Sequence, residues 1–425
     1  MKLFYKKSAI ALAVLSALPL SVCAADVAEI DGTTYESLET ALSAADAGAT
    51  VKLLADAEMN ASVTLDKAIT LDLNGKTVTN NSATTRPFFV TADAFTVIGN
   101  GGSMVIPEDN SSSYGLIDMQ TANATLTVSD VTMSGPTNTG AFIKCRKEFQ
   151  TVNLTNVNAK ATGNSYGIVN AQTGNYTPLN LNVVGGNFEY NSTYTQCGPF
   201  AATSGKGSFS FENVTVNSNQ GPIVDVCGST GSFKNCNFTN TSSGSSHYAT
   251  CIGISSYVKS AYGVSEQGNV IIEGGNYTAN YPVYVFNSGG KVTINGGTFD
   301  GSIASIKIDN NQQTDFTAEA TVTDGTFNGP VSIGSEASLQ VEAGKFNTEL
   351  DEKYLAPSCK LQPTTDGEGN IIYEVVPSTS GIDSVETAPV TDGAVYNMQG
   401  IKVADSVDGL PAGLYITGGK KILVK

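Results

Sequence analysis

The chain has no tryptophan and a single histidine. The first absence counts against a tryptophan platform for stacking sugars, although 17 tyrosines are present to substitute. The second leaves His247, in the loop SSGSSHYAT, as the one imidazole on offer as a base near neutral pH. No cysteines stand in a CxxC pair, which argues against a zinc site. Beyond the N-terminal leader no apolar run is long enough to cross a bilayer. Positive charge is scarce: 23 Lys and Arg stand against 39 Asp and Glu, for a formal net charge of −16. That balance argues against nucleic acid and anionic membranes as partners. Charged residues of both signs make up only 15% of the chain, yet apolar residues reach 40%. With Gly, Asn, Thr and Ser abundant, this is the composition of turn-rich β structure rather than disorder.

What is present is a repeat of roughly 20–30 residues. One half of each copy is an alternating strand, as in ATLTVSDVT (Ala124 to Thr132), TVNLTNVN (Thr151 to Asn158) and KVTINGGTFD (Lys291 to Asp300). The other half is a short apolar strand, as in YGLIDMQ (Tyr114 to Gln120), GAFIKC (Gly140 to Cys145), YGIVNAQ (Tyr166 to Gln172) and GPIVDVC (Gly221 to Cys227). No single unit of this kind buries its own apolar face, so successive copies must stack. Two strands per copy suit a right-handed parallel β-helix. A propeller needs four strands in about 40–45 residues. The terminal apolar positions Val131, Val157, Phe188, Val214, Phe238, Tyr277, Phe299, Phe327 and Phe346 are expected to stack inside.

The N-terminus reads as a secretory signal peptide over 1–24: Lys2, Lys6 and Lys7, an apolar run to Leu20, then small residues at Val22 and Ala24. Its removal would carry the net charge from −16 to −19. Cys23 offers lipidation as an alternative, but Val22 is a poor residue for a lipobox. Residues 25–60 are expected to form an N-terminal cap. Its short helix starts at a capping box, Thr33 to Glu36, and carries Tyr35, Leu38, Leu42 and Ala45 on one face. Such a helix would shield the open end of the solenoid. Coils and a hairpin-like cap follow over 61–377, a Ser/Thr/Pro linker over 378–389, and a small β module over 390–425. Asn74-Gly75 marks a turn.

Aligning the short strands places Asp118, Lys144, Asn170, Asp225, Ser255 and Asn287 near one strand end, with Asp309 further on. Coils lie about 4.8 Å apart, so Asp118 and Lys144 are close enough to pair. Asp118, Lys144, Asn170, Asp225 and Asp309 are thus the candidate binding groove. Tyr114, Tyr166 and Tyr281 recur at strand starts, where they would stack on sugars or cover the coil. No metal or cofactor is implied. Asp225 stands about four coils from Asp118, too far to share an ion. Outside the leader, six cysteines permit disulfides in an exported protein. Cys227 and Cys251, one coil apart, are the preferred pair. The alternative is that the cysteines are small buried apolar residues.

DGTTYESLETALSAADAGATVKLLAD, ITLDLNGKTVT and the endings at Gly296 to Phe299 and Asp324 to Phe327 resemble secreted parallel β-helix surface proteins of Bacteroidota. The tail VYNMQGIKV…LPAGLYITGGKKILVK resembles the C-terminal sorting domain of that phylum's type IX secretion cargo. The resemblance implies a pectin-lyase-like fold, export through that secretion machinery and display at the outer-membrane surface. Asp383-Ser384-Val385 and Asp405-Ser406-Val407 resemble O-glycosylation acceptors of these bacteria.

Two functions follow from this reading. One is a non-enzymatic adhesin or scaffold that binds a polysaccharide or a host-surface ligand. The other is a divergent polysaccharide lyase or glycoside hydrolase, which would need paired carboxylates, or clustered acids with a base. The alignment shows no such cluster within one or two coils. A rigid spacer is a third possibility.

Overall fold

The structure, a computed structural model, describes residues 25–82, 85–110, 112–171, 177–244, 246–259, 264–286, 289–309, 316–378, 393–418 and 420–425. At 201–204, 257–259 and 264 it describes the backbone only. The expected signal peptide, Cys23, Asn287, Asp383 and nearly all of the linker lie outside these residues. The chain is an all-β parallel solenoid of about nine turns with one short helix near its N-terminus. It divides into two compact units, Met1–Val224 and Asp225–Lys425.

In the N-terminal unit the short apolar segments form one sheet: β1 (Val63–Leu65), β2 (Phe88–Val90), β3 (Ile117–Met119), β4 (Ala141–Cys145), β5 (Gly167–Ala171) and β6 (Phe200–Ser204). They stack in parallel in chain order, so Val63, Phe88, Ile117, Ile143, Val169 and Phe200 make one buried inner row. The alternating segments form the second sheet, whose inner row is Leu71, Val97, Val128, Leu154, Val183 and Phe211. Its outer row Thr70, Thr96, Thr127, Asn153, Asn182 and Ser210 is uncharged. Within that row Asn182 donates to Asn153 Oδ1 at 2.9 Å. Parallel pairing already begins at Thr50–Leu53, inside the segment expected to be the cap.

Register is set at the corners between the two halves of each alternating segment. Asp130, Asn156 and Asn213 take φ of 54°, 52° and 56°, and Gly185 takes 65° in the intervening coil. Asn and Asp tolerate this left-handed conformation better than other side chains. Gly186 follows, where a Cβ would lie 2.0 Å from Val157 O. It therefore occupies the place of Val131, Val157 and Val214. Phe188 falls two residues on and stacks with Met133, Ala159 and Val216, which corrects its expected alignment with the valines.

The helix α1 (Leu38–Ala44) starts beyond the expected capping box, with its N-cap four residues after Thr33. Ser37 is its N-cap and accepts from Thr40 N at 3.1 Å. Thr33–Tyr35 is instead a strand paired antiparallel with Ala28–Ile30, so Tyr35 leaves the helical face. Leu38, Ala41 and Leu42 are buried, and the helix packs on β1.

In the C-terminal unit the short sheet runs through β7 (Val224–Cys227), β8 (Thr250–Ser255), β9 (Tyr281–Val285), β10 (Ile306–Ile308) and β11 (Val331–Ile333). Here the expected terminal positions do stack. The rings of Tyr277, Phe299, Phe327 and Phe346 lie 5.1, 5.0 and 4.7 Å apart and within 12° of parallel. A hairpin of Cys359–Thr365 and Ile371–Pro377 follows, and its second strand pairs antiparallel with Gly344–Phe346. The tail is an antiparallel sheet of Val395–Tyr396, Lys402–Ala404, Gly413–Thr417 and Lys420–Val424. Gly400, at φ 78°, turns its first hairpin.

Candidate functional site around Asp118

Outward residues on the short sheet of the N-terminal unit form a rank across successive coils. Thr64, Phe89, Asp118, Lys144 and Asn170 stand in one register on β1 to β5. Three of the five expected groove residues are thus neighbours, one coil apart. The expected contact between Asp118 and Lys144 does not form. Two arginines hold Asp118 instead. Arg146 places a fork on it, with Nε 2.6 Å from Oδ1 and Nη2 2.8 Å from Oδ2. Arg86 donates from Nη1 to Oδ2 at 3.2 Å, and Gln120 donates to Oδ1 at 2.8 Å. With both carboxylate oxygens taken, Lys144 turns the other way and donates to Asn170 Oδ1 and Ala171 O.

These are the only two arginines in the chain, and they lie 60 positions apart. Strand alignment misses both because neither belongs to the strand core: Arg86 precedes β2 and Arg146 follows β4. The signal available in the sequence was their rarity, set beside the acid predicted between them.

The site is over-supplied with positive charge. Three cations gather around one carboxylate, two on it and Lys144 one coil away. Asp118 and Arg86 are nearly closed to solvent, with 6% and 7% of their side chains accessible, whereas Arg146 keeps 34%. Burial pushes the Lys144 ammonium down to about 8, and the charges of Arg146 and Arg86 push in the same direction. Burial also lowers Arg86 to about 10, against the pull of Asp118. Arg86 Nε is buried with no acceptor among the described residues.

Tyrosines flank the cations. The Arg86 guanidinium lies 6.0 Å from the centre of the Tyr114 ring. Tyr114 is 39% exposed, and Tyr166 lies against Tyr194 with centroids 4.4 Å apart. Gly140 stands between Tyr114 and Tyr166 in the stack, and a Cβ there would meet Tyr114 O at 2.1 Å. The backbones of successive coils therefore close up between the two rings.

The other expected residues lie in the C-terminal unit. Asp225 Oδ1 is buried with no hydrogen-bond partner among the described residues, and burial raises the acid to about 6. Asp309 lies two positions beyond the outward rank of Gly253, Tyr284, Lys307 and Ser332. It pairs with Lys307 at 3.1 Å and accepts from Tyr284 Oη at 2.8 Å. Lys307 sits 4.6 and 5.1 Å from the ring centres of Tyr284 and Tyr281. This second cluster balances its one cation with one carboxylate. His247 stacks on Phe286 at 4.5 Å, and burial lowers its pKa.

Cys227 and Cys251 are separate thiols. Cys227 Sγ faces Ser256 O at 3.9 Å, while Cys251 Sγ faces Phe238 O and Thr278 O at 3.5 and 3.4 Å. Gly228 N–H reaches Ser255 O, so the register sets Cys227 several residues along the strand from Cys251. At about 3.3 Å per residue that is beyond disulfide reach.

Among the described residues no helix is long and apolar enough to cross a membrane, and no group of His, Cys, Asp and Glu is placed to hold a metal. Comparison with protein-family models, with curated proteins and with solved structures finds no match.

Proposed function

We propose that this chain is a secreted or surface-displayed β-solenoid that binds a polysaccharide or host-surface glycan without cleaving it. The outer face of β2 to β5 is its binding face. The observation that carries the reading is the gathering of both arginines and Lys144 around Asp118 beside exposed tyrosine. The leader-like N-terminus and the sorting-like tail support export and surface attachment. Fold alone carries no function, so the argument rests on this site. The arrangement also disfavours glycosidic hydrolysis at Asp118. A hydrolase pairs two carboxylates about 5–9.5 Å apart, and Asp118 is the only carboxylate among the described residues of its rank. Both of its oxygens already accept from arginine.

The test incubates the purified protein with a panel of plant, host and microbial polysaccharides, with calcium present. Retention and reducing-end release are scored together. Saturable retention with no new reducing ends supports the reading. Release that disappears in Asp118→Ala would overturn it in favour of a polysaccharide lyase or hydrolase.

A further inference from the structure

Resting on that reading, we infer that the ligand is an acidic saccharide, whose carboxylate or sulfate groups are taken by Arg146 and Lys144 with Arg86 beneath them.

The argument begins with charge. The chain carries a net −16, with 39 acids against 23 bases. A local excess of cations is therefore a departure from the rest of the surface. A structural ion pair needs one cation for Asp118, and Arg86 already meets that need from the buried side. Arg146 and Lys144 add two positive charges to a site that desolvates them. Burial first, and then the neighbouring arginine charges, make the charged Lys144 ammonium costly to hold here, which its lowered pKa reflects. An incoming anion relieves that cost, so it gains from the field of all three cations at once. Donors remain for it. Lys144 carries three N–H groups and spends two on Asn170 and Ala171. The Arg146 side chain is one-third open to solvent.

The sugar assignment comes from what surrounds the charge. Tyr114 and Tyr166 lie two coils apart, about 10 Å, on the strand-start side of the rank. Rings beside cations, with Arg86 against Tyr114, match a chain whose sugar faces are apolar and whose substituents are anionic. An acidic peptide would use the cations and leave the rings idle.

The test uses the full chain and immobilised heparin, chondroitin sulfate and hyaluronan, each beside its desulfated or carboxyl-reduced counterpart, with poly-glutamate as the peptide control. The inference expects at least one acidic chain to bind about tenfold or more tighter than its neutral counterpart, with binding weakened by salt. Arg146→Gln and Lys144→Gln should each weaken it by about tenfold, the scale of one charge-assisted hydrogen bond. Lys160→Gln, on the other sheet beside Glu189, should leave it unchanged. Lys144→Gln leaves the Asp118 bonds in place, so its result does not hinge on folding. Equal binding of acidic and neutral chains would overturn this inference and leave the binding reading standing. Poly-glutamate bound as tightly as the acidic glycans would overturn the sugar assignment. No binding by any chain would overturn both.

Discussion

Replacing Asp118 with Asn should loosen the solenoid locally and severely. The Asp118 side chain is 6% accessible and accepts four hydrogen bonds, three of them from guanidinium groups. Its neutral amide would leave Arg86, 7% accessible, without a counter-charge. Removing one partner of a buried pair costs about 3–5 kcal/mol. In a solenoid each coil depends mainly on its neighbours, so the loss should concentrate in β2 to β5. Amide hydrogen exchange reads it there: a loss of about 3 kcal/mol speeds exchange through local opening by roughly 100-fold. Arg146→Gln removes a partner that is 34% exposed and leaves Arg86 on the acid, so its cost should stay below about 1 kcal/mol. The double change Asp118→Leu with Arg86→Met removes both buried charges and should cost less than the two single changes summed. Exchange in β3 and β4 of Asp118→Asn accelerated less than about fivefold would refute the claim that this carboxylate holds the buried arginine.

Other perturbations have definite expected outcomes. Lys144 binds fewer protons folded than unfolded between about 8 and its ordinary value of 10.5. Stability should therefore rise with pH across that window, and Lys144→Gln should abolish the rise in pH-dependent melts. Glycan binding should move the opposite way, weakening as pH passes about 8, because the ammonium is lost. In the C-terminal unit Phe327→Ala should cost about 3–5 kcal/mol in chemical denaturation, since the ring is stacked between two others at 5.0 and 4.7 Å. Gly186→Ala should destabilise far more than Gly32→Ala in the same assay. Both have positive φ, but the new methyl meets Val157 O at 2.0 Å in the first and nothing within 4 Å in the second. Peptide mapping without reduction should recover Cys251 as a free thiol, and a Cys227–Cys251 bridge would contradict the register.

Much of the fold was legible because its period is physical. A strand alternates every second residue, and stacked coils repeat that alternation, so inner rows such as Ile117, Ile143 and Val169 can be read from the chain. The finer register was less legible. It depends on which corner residue takes positive φ, and a glycine pair at 185–186 looks like an ending while acting as a corner plus an inward position. The N-cap of α1 falls at Ser37 rather than Thr33, four residues later, because both are plausible caps and antiparallel pairing with Ala28–Ile30 claims the earlier segment. The rank of Asp118, Lys144 and Asn170 came from strand alignment alone. Its chemistry did not, since Arg86 and Arg146 reach in from segments flanking the strands, where spacing carries no periodic signal.

The most direct measurement is hydrogen exchange of the full chain with and without a saturating acidic oligosaccharide from the binding panel. The account predicts protection in Tyr114–Gln120, Gly140–Arg146 and Tyr166–Ala171, with little change in the outer Thr/Asn row of the other sheet. Saturable binding with protection elsewhere and none in these three segments would contradict it.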